Sequence, residues 1–183
     1  MPSDSAVERF YDDLAGHMNT MPGVRDAATS CEEKPDGGIV FAEEGKSGMN
    51  VNRYHAVSPT YLSTLGLPIV DGRDFQPGDR GAETGVVIVD DSAARRLWPG
   101  LASPVGRMIK LGARDSKRPW LRVVGVVRSV ELNPRSGLDL PAEPSLYVVS
   151  ARGALFSPRC SPRSASSGSR SARSACMVSS RTP

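Results

Sequence analysis

Val86-Val-Ile-Val-Asp-Asp-Ser-Ala-Ala-Arg-Arg-Leu-Trp-Pro-Gly100 reads as a strand that turns directly into a helix. Val86–Val89 is an unbroken apolar run of the length of a buried strand. Asp90 or Asp91 then offers a carboxylate to the free amides of a first helical turn, capping a helix over Ser92–Leu97. Pro99-Gly100 stops that helix, because proline cannot continue it and glycine tolerates the turn. Downstream, Trp120–Val130 is the most strand-like stretch, with Leu121, Val123, Val124, Val126, Val127 and Val130. Gly125 interrupts it where a bulge or a close backbone approach fits. Ser145–Ser150 is a last short strand, and Arg107–Leu111, entered through a Pro104–Gly106 turn, is another.

Upstream, residues 5–21 have the pattern of an amphipathic helix. Ser5 and Glu8 form a capping box, and Val7, Phe10, Tyr11, Leu14, Met18 and Met21 recur at three- and four-residue steps. Pro22-Gly23 ends it, and Val24–Ser30 follows as a short strand. Residues 31–48 are a polar loop with Ile39–Ala42 as a strand inside it. Met49–Val57 alternates apolar and polar, the pattern of a half-buried or edge strand. Ser58-Pro59 opens a short helix, with Ser58 as N-cap, Tyr61, Leu62 and Leu65 as its apolar face, and Gly66 as the left-handed closing residue. Leu67–Val70 is a brief strand and Asp71-Gly72 a turn. Short strands mixed irregularly with three short helices define an α+β class, a mixed sheet covered by helices on one side.

Composition narrows the function. All 20 acidic residues lie in residues 1–150, beside 17 of the basic ones, whereas residues 151–183 hold six arginines, ten serines and no acid. A mildly acidic body thus carries a basic Arg/Ser-rich tail, expected to be disordered because it lacks the apolar surface to offset chain entropy. Serine–arginine sequence can bind RNA, which makes RNA binding through the tail one alternative; the acidic body gives it no support. The longest apolar runs, such as Val86–Val89 and Val123–Val127, are four or five residues, far short of the ~20 that a membrane helix needs. The first twenty residues carry Asp4, Glu8, Asp12 and Asp13 and no signal-peptide pattern. Cys31, Cys160 and Cys176 make neither a disulfide framework nor a zinc pattern at these spacings.

No catalytic constellation assembles in the sequence, and no catalytic, cofactor-binding or metal-binding residue is assigned. Glu44-Gly45-Lys46-Ser47 lacks the upstream glycine of a phosphate loop, since Val40 stands there. Asp71, Asp74 and Asp79 crowd together, but Arg73 takes a position that a calcium loop would give to oxygen, and no distal glutamate follows. Asp90-Asp91 is better explained by helix capping than by a metal. His17 and His55 share no ligand spacing and read as surface or sheet-edge residues. Cys31 has only Lys34 nearby to activate it, beside two glutamates. Trp98 and Trp120 read as core or rim packing. The chain is not expected to be an enzyme.

The order of these pieces resembles one family. Phe10-Tyr11 with Met21-Pro-Gly-Val24, Val57-Ser-Pro-Thr-Tyr-Leu-Ser-Thr-Leu-Gly-Leu-Pro68, Asp71-Gly-Arg-Asp-Phe75, Val86–Gly100, Ser103-Pro-Val-Gly-Arg107, Arg122-Val-Val-Gly-Val-Val-Arg128 and Pro144-Ser-Leu-Tyr147 follow each other as in the periplasmic core domain of MacB-like ABC transporter permeases, most like the acidobacterial type. The resemblance implies a non-catalytic domain outside the cytoplasmic membrane, with an outer subdomain and an inserted smaller one, here 49–130. It implies a coupling or partner-binding role in export. Its partners would be the permease's membrane-spanning segments, a cytoplasmic ATPase and a periplasmic adaptor, and no nucleic acid or cofactor. Residues 1–150 are then a partial core domain and 151–183 a tail with the character of a frameshift, so that this chain alone is expected not to transport. A free-standing soluble protein-binding module that borrows the fold is the other alternative. With part of the outer subdomain missing, an apolar patch is expected around Phe10, Leu14 and Met18.

Overall fold

A computed structural model describes residues 4–33, 39–42, 48–51, 54–81, 85–112, 118–129, 144–149 and 176–181. The strands are β1 (Asp26–Glu33), β2 (Ile39–Ala42), β3 (Gly48–Asn50), β4 (Tyr54–Val57), β5 (Ile69–Gly72), β6 (Val86–Asp90), β7 (Met108–Leu111), β8 (Trp120–Val127), β9 (Leu146–Val149) and β10 (Cys176–Arg181). The helices are α1 (Asp4–Asn19), α2 (Tyr61–Leu65) and α3 (Asp91–Leu97). All ten strands join one mixed sheet in the order β10-β1-β4-β9-β6-β8-β7-β2-β3, with β5 paired to β8 beside β7. The pairs β4–β9 and β6–β8 are parallel; the others are antiparallel. The class is the expected α+β.

The helices do not share one side of the sheet. Val87 and Val89 of β6 pack into a core with Ala93 and Leu97 of α3. Val86 and Ile88, pointing the other way, pack into a second core with Tyr61 and Leu62 of α2. A strand apolar at every position has two faces to bury, and a helix on each face satisfies both. The unbroken Val-Ile run carried that information.

β8 shows how a bulge redistributes side chains. Val87 pairs with Val123 and the next residue, Ile88, pairs with Gly125, so Val124 is the extra residue. Alternation shifts by one step across it: Val123 and Val126 both lie in the α3 core, while Val124 and Val127 lie in the α2 core. The carbonyl of Val124, freed from the ladder, accepts from Arg73 N at 3.0 Å. Gly125 and Gly72 meet at this crossing. A Cβ on Gly125 would run into the Arg73 carbonyl, and one on Gly72 into the Val124 carbonyl. Gly72 also has φ of 72°.

Several local expectations change. Ser58 is not the N-cap of α2; Thr60 holds that position, with no side-chain cap bond. Ser58 Oγ instead accepts from Thr29 N of β1 at 3.1 Å. Gly66 closes α2 in the left-handed conformation as expected, its φ 67°. Met49–Val57 is two strands, not one. β3 is the sheet's edge, whereas β4 lies between β1 and β9 and is buried at every position.

The tail, expected to be disordered throughout, contributes a strand. Cys176–Arg181 pairs antiparallel with β1, from Asp26↔Arg181 to Cys31↔Cys176. An edge strand borrows its hydrogen-bond partners from the neighbour and needs no packed core of its own. The Arg/Ser-rich run before it lies outside the described residues, as do Glu44-Gly45-Lys46-Ser47 and the side chains of the Ser5–Glu8 box.

Candidate functional site

The carboxylates that crowd in sequence separate in space into fastenings. Asp90, buried at the end of β6, accepts from Ala93 N at 2.6 Å and from Ser92 Oγ at 3.0 Å through one oxygen. Its other oxygen accepts from Ser145 N at 2.9 Å, at the entry to β9. Burial pushes the Asp90 carboxyl above the ordinary range, and these hydrogen bonds pull it part of the way back. Asp91 turns the other way. Its Oδ1 accepts from the Ser129 amide at 3.0 Å and from the Ser129 hydroxyl, just beyond β8, and its Oδ2 accepts from Arg95 Nη1 at 3.0 Å. Burial raises this carboxyl too, but the Ser129 and Arg95 bonds outweigh it and hold it below the ordinary range. The Asp-Asp pair thus fastens β6, α3, the exit of β8 and the entry of β9 into one block.

A second fastening folds the loop after β5. Arg73 donates both guanidinium nitrogens to Asp79, at 2.8 and 2.9 Å, in a bidentate pair. Asp79 Oδ2 also accepts from Gln76 N at 2.8 Å. The Arg73 bonds hold Asp79 below the ordinary carboxylate range against the opposing effect of burial. Asp74 is raised by burial, partly offset by the bond its Oδ1 accepts from Phe75 N. Asp71 lies on β5 opposite Val126. The three aspartates therefore converge on no common point, and no group of three or more metal-ligating side chains occurs among the described residues.

The remaining candidates are also placed. His17 is exposed in the last turn of α1. His55, expected at the surface or a sheet edge, is buried on β4 and stacks on Tyr147 with ring centroids 5.2 Å apart. The parallel β4–β9 pairing places those two rings opposite each other, a long-range register that local spacing does not encode. Trp98 joins the α3 core, its buried Nε1 finding no hydrogen-bond partner among the described residues, and Trp120 lies under Lys110 Nζ at 5.5 Å. Cys31 is disulfide-bonded, a link that the cysteine spacings did not point to.

The surface also carries exposed apolar side chains. Phe10 and Met21, on and just after α1, are 55% and 50% exposed, and Leu14 and Met18 are half-buried. A second exposed set is Val70 on β5 with Val105 beside Gly72. No described helix is long and apolar enough to cross a membrane.

A mixed sheet packed on both faces, with carboxylates that fasten its elements together, defines a domain of the α+β class. The sequence profile of the MacB-like periplasmic core domain matches residues 2–174, and the chain belongs to that family. It is accordingly a periplasmic or extracellular, non-catalytic domain of a MacB-type ABC transporter permease. The match runs well into the serine–arginine segment. No curated protein sequence matches the chain. Among solved structures, the fold is similar to the periplasmic region of MacB from Actinobacillus actinomycetemcomitans. The TM-score is 0.57 at 17% identity, over 78% of this chain and 56% of that one. It is also similar to the extracellular domain of the noncanonic ABC-type transporter YknZ from Gram-positive bacteria. There the TM-score is 0.52 at 18% identity, over 82% of this chain and 70% of that one. This chain therefore spans little more than half the length of the MacB periplasmic region.

Proposed function

We propose that this domain is a passive coupling and partner-binding module of an exporter. It would carry movement from membrane-spanning permease segments, driven by a cytoplasmic ATPase, to a periplasmic adaptor. The observation that supports this most directly is the Asp90–Asp91 block. A force entering at α3 or β6 is shared at once with β8 and β9, because one dipeptide holds all four. A module of this kind needs stiffness, not a reactive group, and the carboxylates serve stiffness. The chain itself, spanning 56% of the MacB periplasmic region, would be a part of such a module that does not transport alone.

The test is ATP-driven export by a membrane-embedded permease carrying this domain, with and without Asp91→Ala combined with Ser129→Ala. ATP hydrolysis should persist while export falls about fivefold or more, since coupling between distant sites is usually worth a few kcal/mol. Export indifferent to the softened block, in a domain shown to remain folded, would remove the coupling role.

A further inference from the structure

We propose that Cys31 is joined to Cys176, and that this cross-strand disulfide clasps β10 onto the open edge of β1. Three observations carry it. Cys31 is disulfide-bonded and almost wholly buried on β1. Cys176 stands directly opposite it in the antiparallel register of β1 and β10. Residues directly opposite in such a pair have Cα atoms about 4.5–5.5 Å apart, inside the range that a disulfide spans. The remaining cysteine, Cys160, lies before β10 in the chain and outside that register.

The bond supplies what the tail's composition does not. β10 is the outermost strand and pairs with the sheet along one side only. Without it, the outer edge of β1 would present a row of unpaired amides and carbonyls, a template for pairing with other chains. A cross-link over so long a loop removes a large share of the freedom of the unfolded chain, and so favours the docked strand. The chemistry suits a domain on the outer side of the membrane, where disulfides persist. Each thiol gives up a proton, and together they give two electrons to an extracytoplasmic thiol oxidant in its disulfide form. That oxidant leaves as a dithiol. Before export the same strand would be held by hydrogen bonds alone.

Trypsin separates the three cysteines, because cleavage after Arg and Lys places Cys31 in residues 26–46, Cys160 in 160–163 and Cys176 in 174–181. The full chain, purified without reductant and alkylated before digestion, should yield 26–46 linked to 174–181, with Cys160 alkylated. Linkage of 26–46 to 160–163, linkage to a second copy of itself, or alkylation of all three cysteines would overturn the assignment. In urea unfolding, Cys176→Ser should lower the midpoint by about 1 M and Cys160→Ser should leave it in place. Equal midpoints for the two variants would overturn the clasp. The peptide map reads the same whether or not the domain couples ATP hydrolysis to export.

Discussion

Gly125 lacks a side chain because the Arg73 carbonyl occupies the place where one would sit. Gly125→Ala must push apart two backbones that cross, and should cost about 2 kcal/mol or more in urea unfolding. Asp90 is constrained by chemistry as well as space. In Asp90→Asn, either the side-chain nitrogen faces the Ser145 amide or, flipped, it faces the donors of Ala93 and Ser92, so a buried donor is left unpaired in both cases. The expected loss is about 1–3 kcal/mol at neutral pH. Asp79 predicts a pH dependence. Its native carboxyl lies below the ordinary value, so the Arg73 pair stabilises the fold above that value and fades as acid protonates the native carboxylate. Because Arg73 is partly exposed, the pair contributes only about 1 kcal/mol. Asp79→Asn should thus lower stability at neutral pH, and the gap to the parent should close on acidification below about pH 4. Asp90, raised by burial, works in the reverse sense. Its ionisation weakens the fold as pH rises through its native value, so the comparison must be made on the Asp79 variant itself.

At the scale of elements, what was legible was local. The β6–α3 turn, its carboxylate cap and its Pro-Gly stop follow from a few adjacent residues, and all formed as read. So did the left-handed Gly66 and the irregularity at Gly125. Ser58 was misread because the residue that satisfies it, Thr29, belongs to a strand far away in sequence. β4 was misread because its alternating pattern did not reveal two flanking strands. β10 was missed because an edge strand leaves little mark on composition. Helix α1 was legible as a helix but not in its packing: it rests on β1, tied at its end by the bond from Ala27 N to Asn19 Oδ1 at 2.6 Å. Phe10 is largely exposed and Leu14 and Met18 are only half-buried, and a helix with a thinly covered apolar face is marginal in water. Hydrogen exchange should show α1 amides opening well before those of Val123–Val127; equal protection would contradict this.

At the scale of the molecule, the sheet is stabilised from both sides at its centre. Ile88, fully buried, is the test of that statement. Ile88→Ala should cost about 2–5 kcal/mol in urea unfolding, since a tightly packed interior collapses only partly around a lost side chain. The order of motifs pointed to the family before the topology was known, yet it could not give the strand order, which depends on pairings between distant residues. Those pairings have a consequence for how the domain is made. Among the described strands, the first lies beside the last. A chain assembling from its N-terminal side can pair its middle strands early, but β1 must wait for its outer neighbour until residues 176–181 have been added. Until that segment docks, one margin of the sheet stays bare.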